Sequence, residues 1–268
     1  MLRTSLTCLL LLALSPLGAV SAADVSRVDG ESVRIDGAID AGAVRAFTSI
    51  MDGGTHTLVI SSPGGSAPDV LDIAEEVARR KMKVVVDGRC FSGCASHIFV
   101  AAAERMVKPD SIVGFHNTMS SFSVIVGGTH LDDVIKLYQP LAKRERALYE
   151  SSGVSLDLLV RPQQAIGPLC FVYDPKAEAD RRFGVATMIS LWVPTRKELA
   201  DFGVDNIAGF WPDAAELGRI HAAKWAGKPN HSMIYGRHAD PRFNRDLASV
   251  VQCSPEFLEK MGLTPPRK

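Results

Sequence analysis

The chain has 268 residues, 46% of them hydrophobic, and its 30 basic residues balance its 30 acidic residues. A net charge of zero gives no electrostatic reason to expect nucleic acid or an anionic membrane surface as a partner. The length suits one large domain, since domains commonly reach about 250 residues.

Residues 1–22 are typical of a secretory signal peptide. Arg3 supplies a positive charge, residues 8–14 form an apolar run, and small residues follow up to Ala22. This apolar run is shorter than the roughly 20 residues that a membrane-spanning helix needs. We therefore expect cleavage after Ala22, a periplasmic or secreted location, and no integral membrane span once the signal is removed.

Segments with strand and helix patterns alternate in the first half of the remaining chain. The predicted elements are a strand at 33–35, a helix at 41–51, a strand at 57–61, a helix at 69–80, a strand at 83–86 and a helix at 92–103. Neighbouring parallel strands need long crossover connections, which the helices would provide. The alternation therefore predicts an α/β fold with a parallel sheet and crossover helices.

The pattern continues more sparsely toward the C-terminus. It predicts a strand at 112–115, a long helix at 131–152, a strand at 191–194 and a capped helix at 195–202 that ends before Gly203. No element is predicted with any regularity after Trp211. We expect residues 23–210 to form the main domain and residues 211–268 to form a C-terminal extension of unassigned structure.

Four cysteines remain after removal of the predicted signal, namely Cys90, Cys94, Cys170 and Cys253. An even number in an oxidising compartment predicts disulfides, and four cysteines allow three pairings. Of these we favour Cys90 with Cys94 and Cys170 with Cys253. A zinc site is not expected, because the cysteines lack a second C-x-x-C pair or a suitably spaced histidine pair.

Three short motifs are candidates for a chemical site. The first is Ser-Pro-Gly-Gly at 62–65, which follows an apolar strand and precedes a helix. Paired glycines let a ligand approach the main chain closely, and amides before a helix can point at a developing oxyanion. The alternative interpretation is a tight turn between a strand and a helix.

The second motif centres on Ser92, which precedes Gly93 at the start of a predicted buried helix. A hydroxyl at that position lies where a helix terminus stabilises negative charge, although serine is also a common helix cap. Neighbouring residues on a helix diverge by about 100 degrees, so Ser96 and His97 do not form a nucleophile and base pair. We expect Ser96 to pack and His97 to be a core or rim histidine.

The third motif is His116, which ends an apolar strand. A lone histidine in this position is usually structural. However, ligands gather beyond the carboxyl ends of parallel strands, where all three motifs are predicted to lie. A serine nucleophile needs such a base within hydrogen-bond distance and a pair of amide donors opposite it.

The order of these motifs resembles that in the catalytic subunit of Clp protease, a member of the Clp and crotonase superfamily. The resemblance includes Ser-Pro-Gly-Gly at 62–65, small residues around Ser92, Arg105, and the Gly-Phe-His strand end at 114–116. The spacing of 24 positions between Ser92 and His116 is close to that of the family. The cysteines on either side of the serine are similar to the Cys-x-Ser-x-Cys of exported Clp-like proteins.

The resemblance covers residues 33–117 well and residues 191–204 more loosely. It implies a spiral of β-β-α units, a tendency to form homo-oligomers, and peptide or protein as substrate. The implied site residues are Ser92 as nucleophile, His116 as general base, and Gly64 or Gly65 with Gly93 as the oxyanion hole.

One departure concerns the aspartate that orients the histidine in the family. Residues 187–192, where it is expected, contain no acid, and Ser190 is the nearest polar residue. Asp157 and Asp174 lie further upstream as substitutes. Altering the orienting acid lowers turnover by about 10,000-fold in a well-studied serine protease.

The leading hypothesis is an exported, ATP-independent serine hydrolase, most simply a peptidase, that transfers acyl groups through Ser92 without metal, nucleotide or other cofactor. The alternative is a catalytically inactive Clp-like binding or scaffold protein of the periplasm. A third class, crotonase-like chemistry on coenzyme A thioesters, shares the oxyanion hole but fits export poorly, since those thioesters are intracellular.

Overall fold

The structure is a computed structural model that describes residues 23–127, 129–177, 182–226, 232–236 and 246–260. The predicted signal peptide, at residues 1–22, lies outside the described residues. The strands are β1 (Asp24–Arg27), β2 (Ser32–Asp36), β3 (Thr57–Ser62), β4 (Lys83–Phe91), β5 (Glu104–Val107), β6 (Ile112–Gly114), β7 (Pro168–Tyr173), β8 (Phe183–Thr187), β9 (Leu191–Val193), β10 (Ile207–Gly209) and β11 (Met233–Tyr235).

The α-helices are α1 (Ala41–Ile50), α2 (Ala67–Arg79), α3 (Met119–Val126), α4 (Asp132–Ser151), α5 (Arg161–Ala165), α6 (Arg196–Asp201), α7 (Ala214–Lys224) and α8 (Pro255–Lys260). A π-helix spans Cys94–Phe99, and two 3-10 helices span Leu156–Leu159 and Leu247–Ser249.

The central sheet has the strand order β1-β2-β3-β4-β5-β10, and β6 pairs with the second half of β4. The β1–β2 pair is antiparallel, and the other pairs in this sheet are parallel. Helices α1 and α2 connect successive parallel strands. The predicted α/β fold, with a parallel sheet and crossover helices, is confirmed.

Helix α2 shows why these segments fold as predicted. Val70, Ile73 and Val77 recur at helical spacing, and all three are buried in the main hydrophobic core. Burying a side chain of this size contributes roughly 1.5–3 kcal/mol relative to leaving it in water. The apolar stripe therefore determines both that this segment is a helix and which of its faces packs against the core.

The predicted helix at 92–103 requires a correction. The regular part of this segment is the π-helix Cys94–Phe99, and Ser92 lies in the turn before it. A disulfide joins Cys90, near the end of β4, to Cys94, so the intervening residues must reverse direction within a short span. Arg105 donates hydrogen bonds to the carbonyl oxygens of Phe99 and Val100 and so caps the far end of this helix.

Several elements between the site and the C-terminus were not predicted, and helix α3 and the β7–β8 hairpin are the ones that bear on the site. Helix α3 follows β6, with Thr118 as its N-cap, and β7 and β8 form an antiparallel hairpin outside the main sheet. A second disulfide joins Cys170 on β7 to Cys253. Both disulfides are the pairings that the sequence analysis favoured.

The described parts of residues 211–268 pack against the main fold. Strand β11 pairs in parallel with β9, and the Trp225 ring lies 5.5 Å from the Phe91 ring. The bond between Cys170 and Cys253 ties the end of this region to the β7–β8 hairpin. In the part of the chain that the structure describes, no helix is both long and apolar enough to cross a membrane.

Candidate active site

The three motifs lie at the adjoining ends of β3, β4 and β6. Ser62 at the end of β3 pairs with Cys90, and Phe91 at the end of β4 pairs with Gly114. These strands are parallel, so their carboxyl ends meet at one edge of the sheet. The topology therefore brings together the diglycine segment, Ser92 and His116.

Ser92 occupies a strained turn. Its φ angle of 59° is in the left-handed region, which non-glycine residues seldom adopt and which concentrates at functional sites. The turn is held at three points: the Ser92 amide donates to the Gly114 carbonyl at 3.0 Å, the Ser92 carbonyl accepts from the Ser96 amide at 2.9 Å, and a disulfide joins the flanking Cys90 and Cys94. The hydroxyl is thereby fixed between a strand end and a helix start, as in the sharp turns that present nucleophilic serines.

The Ser92 hydroxyl lies in hydrogen-bond contact with the imidazole of His116. Ser92 Oγ and His116 Nε2 are 2.5 Å apart. This is the geometry required of a nucleophile and its general base.

His116 is electrically neutral at physiological pH. Its side chain keeps some contact with solvent, yet the surrounding protein removes enough water that burial lowers the pKa of His116 from 6.5 to about 4. A neutral imidazole can accept the hydroxyl proton, so burial leaves His116 in the form that a general base requires.

No carboxylate contacts His116 within the described residues. Asp157 is exposed at the start of a 3-10 helix, and Asp174 accepts a hydrogen bond from the Lys176 amide in the β7–β8 turn. The Ser190 hydroxyl is 3.0 Å from that of Ser232. The structure thus brings Ser92 and His116 together, and among the described residues neither of the suggested substitutes, Asp157 and Asp174, hydrogen-bonds to the imidazole.

The low pKa of His116 makes a testable prediction. Protonated imidazole cannot accept a proton, so the rate constant for acylation of Ser92 should be level near neutral pH and fall only as the pH drops through about 4. Measuring acylation by an activated ester from pH 8 to pH 3.5 would test this, with return of each sample to pH 7 as the control for unfolding. If the acylation rate instead fell with a midpoint near pH 6.5, this would contradict the lowering of the His116 pKa by burial.

The diglycine segment packs directly on the Ser92 turn. Gly64 has a φ angle of 95°, and a Cβ added there would lie 2.8 Å from Ser92 Cβ and 3.1 Å from the Gly93 nitrogen. A Cβ on Gly65 would overlap the main-chain carbonyl of Ile39. Glycine is therefore required at both positions by close contact between main chains.

The main-chain amides around this contact differ in their hydrogen bonding. The Gly64 amide donates to the Ser62 hydroxyl at 3.0 Å and is already engaged. Among the described residues, the amides of Gly65 and Gly93 have no hydrogen-bond partner. Of the two alternatives suggested by the sequence, this geometry favours Gly65, rather than Gly64, as the partner of Gly93 in an oxyanion hole.

Ser92 and His116 line a cavity of about 790 Å³, a size that suits a peptide side chain or a small ligand. Helices α3 and α4 and the β7–β8 hairpin contribute residues to its walls. Its apolar lining includes Met119, Phe122, Leu137, Leu141, Ile166 and Phe183. Across the described chain, no cluster of three or more histidine, cysteine or acidic side chains is suitably placed to hold a metal ion.

A buried pair of hydrogen-bonded side chains beside the site was not predicted as such from the sequence. His97 Nε2 is 2.9 Å from Glu145 Oε1, and its other ring nitrogen is 3.2 Å from the Gly93 carbonyl oxygen. Glu145 also accepts hydrogen bonds from the Met119 amide at 2.9 Å, and from the Ser120 amide and hydroxyl, each at 2.7 Å. This network connects Gly93 to α3 and α4, and so to both sides of the cavity.

Hydrogen bonds stabilise the ionised form of Glu145. Burial alone would raise the pKa of Glu145, but the hydrogen bond and charge of His97, with the donors at the start of α3, hold it below its ordinary value. The Glu145 carboxylate is therefore the common acceptor of a buried network that includes the His97 ring, next to Gly93.

Comparisons with known proteins find similarity to solved structures. No protein-family model matches the chain, and no curated protein matches it significantly. A mutant of ClpP1 from Listeria monocytogenes is similar in structure, with 17% identity over 70% of this chain and 95% of that chain, and a TM-score of 0.38. A similarity this distant does not establish a function, so the chemistry depends on the geometry of the site.

Proposed function

We propose that the protein is a serine hydrolase, specifically an ATP-independent peptidase that works by acyl transfer through Ser92. The observation that carries this proposal is the distance of 2.5 Å between Ser92 Oγ and His116 Nε2, at the wall of a cavity large enough for a substrate side chain. The strained turn at Ser92 supports it, because such strain persists where a side chain must be presented for chemistry.

The residues suggest a two-step reaction. Ser92 Oγ attacks the substrate carbonyl carbon while its proton passes to His116 Nε2, and the amides of Gly65 and Gly93 stabilise the oxyanion. His116 then gives this proton to the departing amine as the carbon–nitrogen bond breaks. A water molecule, deprotonated by His116, releases the acyl group from Ser92 and returns the hydroxyl to its starting form.

Because no carboxylate among the described residues contacts His116, we expect slow hydrolysis of amides. In the transition state His116 carries a positive charge that no described acid contacts, so charge development on the imidazole is poorly stabilised. Amide hydrolysis suffers most, because the leaving amine must take a proton from that imidazole. Esters with acidic leaving groups need no such proton, and we expect them to be cleaved much faster than peptides.

Two disulfides are compatible with an extracellular or periplasmic location, where thiols are oxidised. Export to the periplasm or beyond is part of the proposal. Outside the cytoplasm the protein would work without an ATP-driven unfolding partner. Its substrates would therefore be short or unfolded peptides. Assembly into homo-oligomers stays a prediction.

The proposal predicts a burst of product with an activated ester. Wild-type protein mixed with p-nitrophenyl acetate should release about one equivalent of nitrophenol per chain quickly and then turn over slowly, because the acyl group accumulates on Ser92. A fluorogenic peptide library in the same buffer would test for peptidase activity. Release of nitrophenol no faster than that caused by a His116→Ala variant would refute the hydrolase.

A second candidate function is a peptide-binding or scaffold protein that has the cavity without effective catalysis. The observation that favours it is that His116 lacks any carboxylate partner among the described residues. This function predicts that peptides bind in the cavity and are recovered intact after long incubation. Titration with labelled peptides, followed by mass analysis of the bound material, separates the two functions.

A further inference from the structure

Gly93 carries one of the two amides that the proposed reaction uses for the oxyanion, and it comes directly before the π-helix. It is partly exposed and lines the cavity. A Cβ at this position would lie 3.0 Å from the Val70 side chain, so any larger residue would require Val70 to move. Glycine has more backbone freedom than any other residue, so contacts with other residues must fix the direction of this amide.

Two contacts hold the peptide groups on either side of Gly93. The Ser92 carbonyl accepts from the Ser96 amide at 2.9 Å, which fixes the peptide group that contains the Gly93 nitrogen. In a trans peptide the N–H points opposite to the carbonyl, so this amide points back toward the start of the helix, where Ser92 and Gly93 line the cavity. The following carbonyl, that of Gly93 itself, lies 3.2 Å from His97 Nδ1.

The His97 ring is held from its other side by Glu145. His97 Nε2 is 2.9 Å from Glu145 Oε1, and the side chain of His97 is only 4% exposed. Glu145 is fully buried, and the amides of Met119 and Ser120 at the start of α3 donate to its carboxylate. An anchored carboxylate therefore keeps the ring in place, with its Nδ1 atom next to the Gly93 carbonyl.

We propose that His97, held by Glu145, is a positioning residue that fixes the Gly93 amide in the direction needed to stabilise the oxyanion. Among the described residues neither side chain hydrogen-bonds to Ser92 or His116, so the effect passes through Gly93. A carbonyl oxygen only accepts hydrogen bonds, so this role requires a proton on His97 Nδ1. The inference rests on the proposed function, since it explains how one donor of that site is held.

The variant His97→Gln removes the contact with Gly93 selectively. The glutamine amide nitrogen can take the place of Nε2 and donate to Glu145, but no atom of glutamine takes the place of Nδ1. Saturation of the burst with p-nitrophenyl acetate gives the acylation rate constant and the dissociation constant of the ester separately. The rate constant should fall about 10-fold to 100-fold, somewhat less than the 10²-fold to 10³-fold cost of losing an oxyanion donor outright. A loss below about three-fold would overturn the proposal.

The dissociation constant of the ester should stay within about two-fold of wild type, because the oxyanion exists only after attack on the carbonyl. A purely structural role for His97 predicts instead that any loosening of the π-helix lowers the rate. Tyr149 provides the matched control, since its buried hydroxyl donates to the Ser96 carbonyl of the same helix at 2.7 Å. Tyr149→Phe should keep the acylation rate constant within about two-fold of wild type. Equal losses in Tyr149→Phe and His97→Gln would overturn the proposal.

Nuclear magnetic resonance separates failure of this proposal from failure of the hydrolase. With ¹⁵N in glycine and histidine, the Gly93 amide of wild type should have an order parameter near about 0.85, as in rigid backbone, and lose at least about 0.1 in His97→Gln. Ring ¹⁵N shifts should show a proton on His97 Nδ1. If both results hold while wild type releases nitrophenol no faster than His116→Ala, the hydrolase fails and the positioning of Gly93 stands. An equally rigid Gly93 in His97→Gln, or an unprotonated Nδ1, overturns the positioning, whatever the esterase activity.

Discussion

Replacing Ser92 by alanine is expected to lower the rate of ester hydrolysis by at least about 10³-fold while leaving the fold intact. The reason is that the variant removes the atom that would form the acyl-enzyme, and losing the nucleophile of a serine hydrolase costs 10³-fold to 10⁶-fold. Initial rates with p-nitrophenyl acetate, at protein concentrations verified by absorbance, provide the measurement. Near-ultraviolet circular dichroism establishes that the variant is folded.

Ser96 offers a matched control. It follows Ser92 by one turn, it is buried, and its hydroxyl has no hydrogen-bond partner within the described structure. Because alanine in that position only removes an unpaired polar atom, Ser96→Ala should keep esterase activity within about two-fold of wild type. Equal losses in the two variants would show that the activity does not depend on the Ser92 hydroxyl.

Replacing Glu145 by alanine is expected to destabilise the protein by about 3–5 kcal/mol. The carboxylate is fully buried and accepts four hydrogen bonds, so its removal leaves the His97 ring nitrogen and the donors of Met119 and Ser120 unpaired. Urea denaturation followed by tryptophan fluorescence gives the free energy of unfolding. Glu145→Gln, which keeps the shape and loses the charge, should lie between wild type and Glu145→Ala.

Glu150 provides the control for this experiment. It lies in the same helix α4 and is exposed, so Glu150→Ala should change the free energy of unfolding by no more than about 0.5 kcal/mol. A loss below about 1 kcal/mol in Glu145→Ala would show that the buried Glu145 carboxylate does not hold α3 and α4 to the segment after Ser92.

Much of the fold could be predicted because local patterns determine it. The apolar run in the middle of β3 and the helical spacing of Val70, Ile73 and Val77 each specify an element without reference to distant residues. Since the carboxyl ends of neighbouring parallel strands share one edge of the sheet, the meeting of Ser92 with His116 could also be anticipated from their places at strand ends.

The remaining features depend on contacts between distant residues. His97 and Glu145 are 48 positions apart, and Glu145 lies in a charged stretch that resembles an exposed helix face. The β7–β8 hairpin is outside the main sheet, so the alternation of strands and helices gave no indication of it. Ser92 adopts a left-handed conformation between the end of β4 and the disulfide-bonded Cys94, although residue preference alone disfavours it.

The burial of Gln163 is another feature that depends on contacts between distant residues. The surrounding sequence, Arg-Pro-Gln-Gln-Ala, has no apolar periodicity, and two adjacent glutamines would ordinarily indicate a solvent-exposed turn. Only the packing of α5 against the cavity separates the fully buried Gln163 from the partly buried Gln164. A sequence pattern cannot distinguish them, because the difference is in which side of a five-residue helix faces the interior.

Covalent labelling with a fluorophosphonate tests most directly whether Ser92 is an activated nucleophile. Wild-type protein with both disulfides intact should gain one phosphonyl group per chain, and peptide mapping by mass spectrometry should place it on Ser92, with no adduct in Ser92→Ala or His116→Ala. Wild-type protein that stays unlabelled under both oxidising and reducing conditions, or that carries the adduct on another residue, would contradict the account.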